Sequence, residues 1–191
     1  MAEFFEALSD DHVAMIARQP VFFVATAAEG SRINLSPKGY DCLRVLSPTR
    51  VAWLDLGGSG NETNAHLLAD GRITMMFCNF QQPAQVLRIY GKGEPVLPWE
   101  RGWDALAEHF TMLPGTRQIF DIAVEGVHTS CGYGVPLMTL ERERPTLLKV
   151  HAKADAAVWA GKARRHRQSI DGLPTRTTDR YIAGEPGTVP D

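Results

Sequence analysis

The sequence predicts a mainly β fold: an antiparallel barrel with accessory helices. Three observations carry that expectation. Runs of β-branched, aromatic and aliphatic residues, each of strand length, recur between Val21 and Thr129. Short turn signals such as Glu29-Gly30-Ser31 and Ser47-Pro48-Thr49 separate them. Helical spacing is scarce, so the strand–helix alternation that builds a parallel α/β sheet is missing. Closing antiparallel strands into a barrel removes their exposed edges.

The elements follow in order. Residues 3–19 read as a helix, with Ser9 or Asp10 able to cap and Val13, Ile16 and Ala17 forming an apolar stripe. Pro20 ends it. Val21–Thr26 is a strand, and Arg32–Lys38 a second at hairpin distance. Pro37 places that second strand at a sheet edge or at its own end. Cys42–Leu46 and Arg50–Leu56 are two more strands. Gly57-Gly58-Ser59-Gly60 leads into a short helix, Asn61–Ala69, which Asp70-Gly71 stops. Arg72–Phe80 and Gln85–Val96 are strands. An amphipathic helix is expected from Leu97-Pro98 to about Met112. Arg117–Thr129 is the last long strand, with neither face cleanly polar, so both faces are expected to be covered. A short strand at Leu147–Val150 and a helix at about Ala154–Ser169 follow, and the last twenty residues read as extended. We therefore divide the chain into a barrel domain, 1–145, and a C-terminal helical and extended tail, 146–191.

Composition narrows the function classes. The chain has 191 residues, 20 Lys and Arg against 22 Asp and Glu, and a net charge of −2. That balance gives no field to attract nucleic acid or an anionic membrane. The longest apolar runs, such as 20–28, are too short to span a bilayer. Early acidic residues (Glu3, Glu6, Asp10, Asp11) do not suit a signal peptide, so a cytoplasmic location is expected. Cys42, Cys78 and Cys131 are widely separated, and the six histidines lack metal-ligand spacing, so neither a disulfide framework nor a metal is expected.

Five constellations bear on chemistry. Leu54–His66 runs strand, glycine loop, helix N-terminus, which presents unpaired N–H groups and a positive dipole end to an anion such as phosphate. Ser59, Asn61, Thr63 and Asn64 offer side-chain donors there. The loop is no Walker A motif, no dinucleotide fingerprint and no Gly-x-Ser-x-Gly elbow; a flexible loop capped by Asn61 is the competing reading. Ile33–Gly39 puts small polar groups and Lys38 at a strand end, where they suit a planar heterocycle that becomes anionic, or else form an ordinary surface. In Gln85–Gly91, Gln85 and Arg88 fall on opposite faces, one for a ligand and the other for a partner subunit; an outward arginine or a core ion pair competes for Arg88. Thr129–Pro136 is a shaped loop in which Cys131 packs or lines a pocket. Arg164-Arg165-His166-Arg167 reads as a solvated helix face.

The order of these elements resembles the pyridoxamine 5′-phosphate oxidase-like flavoproteins, the split-barrel FMN-binding group. Four features carry the resemblance over roughly residues 10–135. They are the Val21–Ala28 strand after a helix, Asn34-Leu35-Ser36-Pro37-Lys38-Gly39, the loop and helix at Gly57–Ala69, and the Gln85-Val86 strand. Ser-Pro-Lys-Gly and the tail segment Ser169–Pro174 resemble one uncharacterised branch of that group. The resemblance implies an antiparallel Greek-key split barrel and a homodimer with FMN at the subunit interface. It implies that Asn34, Ser36 and Lys38 contact the ring or ribityl chain. It gives the phosphate to Ser59, Asn61, Thr63 and Asn64, and a flavin contact to Gln85. Arg88 has no family equivalent and is carried as a candidate phosphate or cross-interface contact.

Two departures qualify this. The family's phosphate loop usually carries a basic residue, and Gly57–Asn64 has none. The charge would then fall to the helix dipole, neutral donors and an arginine from elsewhere. The motif of a tryptophan with an Arg-Leu-Pro-type run that completes the vitamin site is not found after Leu148, so the resemblance does not extend to the vitamin substrate. The expected activity is that of an FMN-dependent oxidoreductase of unknown substrate, with no residue standing out as a general base. The alternatives are a deazaflavin-dependent reductase, a non-catalytic flavin carrier or sensor, and a barrel without cofactor.

Overall fold

The computed structural model describes residues 2–176. One antiparallel sheet dominates. Along it the strands run β3 (Asn34–Lys38), β2 (Phe22–Thr26), β6 (Arg72–Cys78), β7 (Val86–Val96), β8 (Thr116–Ser130), β5 (Arg50–Leu56) and β4 (Leu43–Ser47). β1 (Glu3–Phe5) pairs with Val127–Thr129 of β8, while β5 pairs with Thr116–Ala123 of the same strand. The 15 residues of β8 thus carry two partners end to end, with β7 as a third.

The path rolls into a split barrel. β3 and β4 end the hydrogen-bonded path, yet Phe22 on β2 meets Trp53 on β5 edge-on at 6.3 Å. Trp53 stacks on Phe120 at 4.7 Å, and Phe22 on Phe77 at 5.5 Å, so four aromatic rings fill the middle. All four are buried, each contributing on the order of 1.5–3 kcal/mol. Pro37 is tolerated because β3 is an edge, where the missing N–H costs no ladder bond. The segment 39–42 spans the split and is pinned by Cys42 Sγ donating to Gly39 O (3.0 Å) and Leu54 N donating to Cys42 O (2.8 Å). Burial pushes the Cys42 thiol up to about 12, so it packs as an apolar group.

Three sequence expectations are corrected. Residues 3–5 form β1, because the exposed edge of β8 beyond β5 takes a strand, and the helix α1 covers only Asp10–Ala17 behind a Ser9 capping box. The helix expected over 98–112 is the five-residue α3 (Trp103–Ala107), entered through left-handed Gly102. Trp103, Leu106 and Phe110 are still the buried face. Leu147–Val150 lies in a helix, α4 (Thr146–His151), rather than in a strand. The remaining helices are α2 (Glu62–Ala69), between β5 and β6, and α5 (Ala156–Arg165), capped by Asp155. Most of the tail expected to be extended lies outside the described residues. Among those described, Gln168 and Pro174 form a bridge.

The tail packs back on the barrel. His151 stacks on Trp159 (4.9 Å, 16°) and wedges beside Gly57 and Gly115. Gly115 has φ +92°, and a Cβ there would lie 2.3 Å from His151 Cδ2. Only glycine meets both demands at once.

Candidate functional site

A cavity of about 820 Å³ opens between β3, the glycine loop, the start of α2 and the tail. That size lies in the ~300–1,000 Å³ range typical of small-molecule and cofactor sites. Among the residues expected from sequence, Asn34, Ser36, Lys38, Ser59, Asn61 and Thr63 line it. β3 brings the first three and the loop–α2 junction the others; Asn34 Nδ2 donates to Thr63 Oγ1 at 3.4 Å, tying the two together.

Three expected residues are not in the cavity wall. Asn64 is fully buried behind it: Nδ2 donates to Gln118 Oε1 (2.7 Å), and Oδ1 accepts from Arg176 N (3.0 Å). Gln85 and Arg88 lie at the β7 end near the loop after β8. There Arg88 Nη1 donates to Ser130 Oγ at 3.3 Å, and the Gln85 backbone presses on Gly132.

Beneath the loop runs a buried polar network that the sequence reading missed. Arg117 Nε and Nη2 donate to Asp55 Oδ2 at 2.9 and 2.7 Å, and Arg117 Nη1 donates to Gly60 O at 2.9 Å. Gln118 Nε2 donates to the same Asp55 oxygen and to Asn61 Oδ1 (2.7 and 2.9 Å). Asn61 is therefore held by the barrel and makes no side-chain cap on α2, which leaves the first N–H groups of α2 without that partner. The sequence did hold a signal. Asp55 lies between Leu54 and Leu56, and a carboxylate in an apolar strand requires a cation.

Two polar atoms facing this region are buried without a partner among the described residues: Ser36 Oγ and His66 Nε2. His66 is 1% exposed and lines the cavity, and its Nδ1 shares a hydrogen bond with Thr26 Oγ1 at 3.0 Å. Native interiors rarely leave such atoms unpaired unless a ligand or water completes them. Lys38 holds its ammonium 4.7 Å from the Trp53 ring centroid. Burial pulls its pKa below the usual lysine value, while nearby Asp55 acts against that.

The tail forms the remaining wall through Arg165, His166, Gln168, Ser169 and Ile170. His166 Nε2 pairs with Ser59 O (3.0 Å), Ile170 N donates to the Glu62 carboxylate (3.0 Å to the nearer oxygen), and Arg32 pairs with Asp171. The Arg164–Arg167 cluster read as a solvated face is thus only partly so, because Arg165 and His166 border the cavity. Donors, a helix start and cationic groups at one end, with a strand bearing small polar groups at the other, suit a ligand that has an anionic head and a planar body.

Comparison with known proteins bears on this arrangement. The family model described as Pyridoxamine 5′-phosphate oxidase matches residues 8–131. A curated relative is the pyridoxamine 5′-phosphate oxidase family protein ustO of Aspergillus flavus. It is 39% identical over 197 aligned positions, which cover 91% of this chain and 78% of that protein. Among solved structures, HupZ of Group A Streptococcus is similar at TM-score 0.51 and 17% identity, over 63% of this chain and 91% of that one. A Lactobacillus delbrueckii protein described provisionally as a pyridoxamine 5′-phosphate oxidase gives TM-score 0.52 at 15% identity, over 64% of this chain and 94% of its own. No helix among the described residues is long and apolar enough to cross a membrane.

Proposed function

Because the chain belongs to the pyridoxamine 5′-phosphate oxidase family, we propose that it binds FMN in this cavity and acts as an oxidoreductase on a small molecule. The observation that carries the reading is the pair of buried unpartnered atoms, Ser36 Oγ and His66 Nε2, in a cavity with an anion cradle at one end. The group fits the residues present. The phosphate lies at Ser59, Thr63 and the first N–H groups of α2, and the ring lies along β3 beside Asn34, Ser36 and Lys38. Bound flavin supplies the hydride or electron transfer chemistry.

The chain's own residues orient that group. Asn34 fixes the distance between strand and helix through Thr63. Ser36 Oγ and His66 Nε2 present a hydroxyl and an imidazole nitrogen to polar edges of the ligand. The Lys38 ammonium, held beside Trp53, is the charge available to an anionic ring. Arg117 holds Gly60 O away from the anion rather than meeting the anion with its full charge, since Asp55 neutralises it.

The same reading includes a homodimer. Ile33 and Leu35, 76% and 64% exposed, flank the cavity mouth on the edge strand. A second copy seated there covers both. Gln85 and Arg88, outside the cavity of their own chain, then reach toward the cavity of the second copy.

Purified protein tests the reading. It is expected to be yellow, to release FMN on denaturation and to run as a dimer by light scattering. Bleaching by a nicotinamide donor and reoxidation by an acceptor separate an enzyme from a carrier. A colourless protein that takes up no added FMN overturns flavin binding; a monomer that holds FMN overturns the shared site.

A further inference from the structure

The glycine loop has a feature that its own sequence does not explain. Three of its carbonyls are held by side chains from outside the loop. His151 Nε2 pairs with Gly57 O at 2.7 Å, His166 Nε2 with Ser59 O at 3.0 Å, and Arg117 Nη1 donates to Gly60 O at 2.9 Å. A carbonyl only accepts, so both imidazoles carry their proton on Nε2. At His151 this leaves the Nδ1 lone pair facing Lys162 Nζ, 3.4 Å away. Two of the three holding groups belong to the tail, beyond the region 8–131 that the family model matches.

With these carbonyls held, the loop has a fixed backbone where Gly58, Ser59 and Gly60 line the cavity, while Gly57 N–H is spent on Gly115 O at 2.9 Å. The side chains that draw the carbonyls here are imidazoles and a guanidinium, so they add no negative charge near the anion. Charge balance points the same way. Arg117 is neutralised by Asp55, and Arg32 by Asp171. Glu62, at the first turn of α2, also lines the cavity and keeps its negative charge while its carboxylate accepts from Ile170 N, so this wall needs a cation before it can hold an anion. Arg165 lines the cavity, and among the described residues no hydrogen bond or ion pair holds its guanidinium. An unpartnered His66 Nε2, almost wholly buried in the same wall, marks the cavity independently as a ligand site.

We propose that the C-terminal segment builds the anion cradle: His151 and His166 position the loop by holding its carbonyls, and Arg165 supplies the cation that the loop lacks. The proposal rests on the functional reading above for the identity of the ligand, but not for the presence of an anion. The anion is a phosphate group, either free as inorganic phosphate or as the monoester of FMN.

The test uses the full chain and three probes: FMN, riboflavin, which lacks the phosphate, and inorganic phosphate. Affinity for the flavins is read by fluorescence quenching, and phosphate by its shift of the melting temperature. Arg165→Ala is expected to weaken FMN about 10- to 100-fold, the loss of one charge-assisted hydrogen bond, and to leave riboflavin unchanged. His166→Ala is expected to do the same, and His166→Gln to restore binding, because its amide still donates to Ser59 O. Arg165→Ala guards against misfolding, since that side chain is exposed. If the wild type prefers FMN over riboflavin and both alanine variants keep that preference, the cradle assignment is overturned. If the wild type takes up no flavin but phosphate raises its melting temperature through Arg165, the flavin reading falls and the cradle stands. If phosphate and FMN both leave the wild type unmoved, the cradle falls too.

Discussion

Removing Asp55 tests whether the network beneath the loop holds the site together. In the wild type its carboxylate accepts two bonds from Arg117 and one from Gln118. The Arg117 and Asp55 side chains are only 11% and 3% exposed. Asp55→Ala leaves a buried guanidinium with Gly60 O as its remaining partner among the described residues, and takes one of two acceptors from Gln118 Nε2. Breaking one side of a buried pair costs about 3–5 kcal/mol, a large share of the ~5–15 kcal/mol that holds a domain folded. Arg50–Asp121, with side chains 50% and 20% exposed, is the internal control. There Asp121→Ala is expected to cost about 0–1 kcal/mol. Urea unfolding gives both numbers, the midpoint moving while the slope stays constant. A paired change, Asp55→Leu with Arg117→Met, is expected to recover most of the loss by removing both charges. If Asp55→Ala costs no more than Asp121→Ala, the pair is not what fixes the loop, and the argument from it fails.

Three further outcomes are expected. Thr63→Glu puts a carboxylate at the phosphate end and is expected to lower FMN affinity by at least about 100-fold through like-charge repulsion; unchanged affinity in a fluorescence titration would mean that the phosphate lies elsewhere. Gly115→Ala forces a side chain into left-handed backbone and onto His151; it is expected to cost at least about 1–3 kcal/mol and to expose 146–165 to trypsin, and an unchanged digestion pattern would contradict the docking described. Burial, aided by Lys162 and Arg117 at His151 and by Arg117 at His166, holds both imidazoles below the usual 6.5. The folded chain therefore binds fewer protons than the unfolded one just below pH 6.5, so their contribution is complete above 6.5 and lost as pH falls through the lower folded values. Urea midpoints are expected to drop on acidification from about pH 7.5 to 5, with a shallower slope in a His151→Asn, His166→Gln double variant; equal slopes would refute this.

Local pattern predicted what local pattern governs. Arg50–Leu56 is a strand over the predicted span, and Pro37 marks an edge strand as expected. Glu3–Phe5 reads as helix because its neighbours have helical spacing, but the decision belongs to the free edge of β8, 122 or more residues away. Leu147–Val150 has strand composition but lies in α4, whose His151 packs against Gly57 and Gly115. The same distinction runs through the site. Ser59 and Thr63 were legible because a glycine loop before a helix is a contiguous signal. Arg117, Gln118 and the tail residues were not, since their relevance comes from pairing with Asp55, Asn61 and Ser59 over separations of 57 residues or more. The question that the loop raised, which arginine compensates for its lack of charge, was visible in the sequence. The answer we propose, Arg165, comes from the fold.

The loop from Gly57 to Gly60 is gripped by the tail on one side and borders the cavity on the other. Two events that share one segment are thermodynamically linked, and the coupling is reciprocal. Whatever factor a docked tail adds to the affinity of an anion, a bound anion must add to the docking of the tail. Amide exchange in α4 and α5 then reports occupancy of a cavity that those helices only partly line. A partner that pulled on α5 would loosen the ligand without entering the cavity.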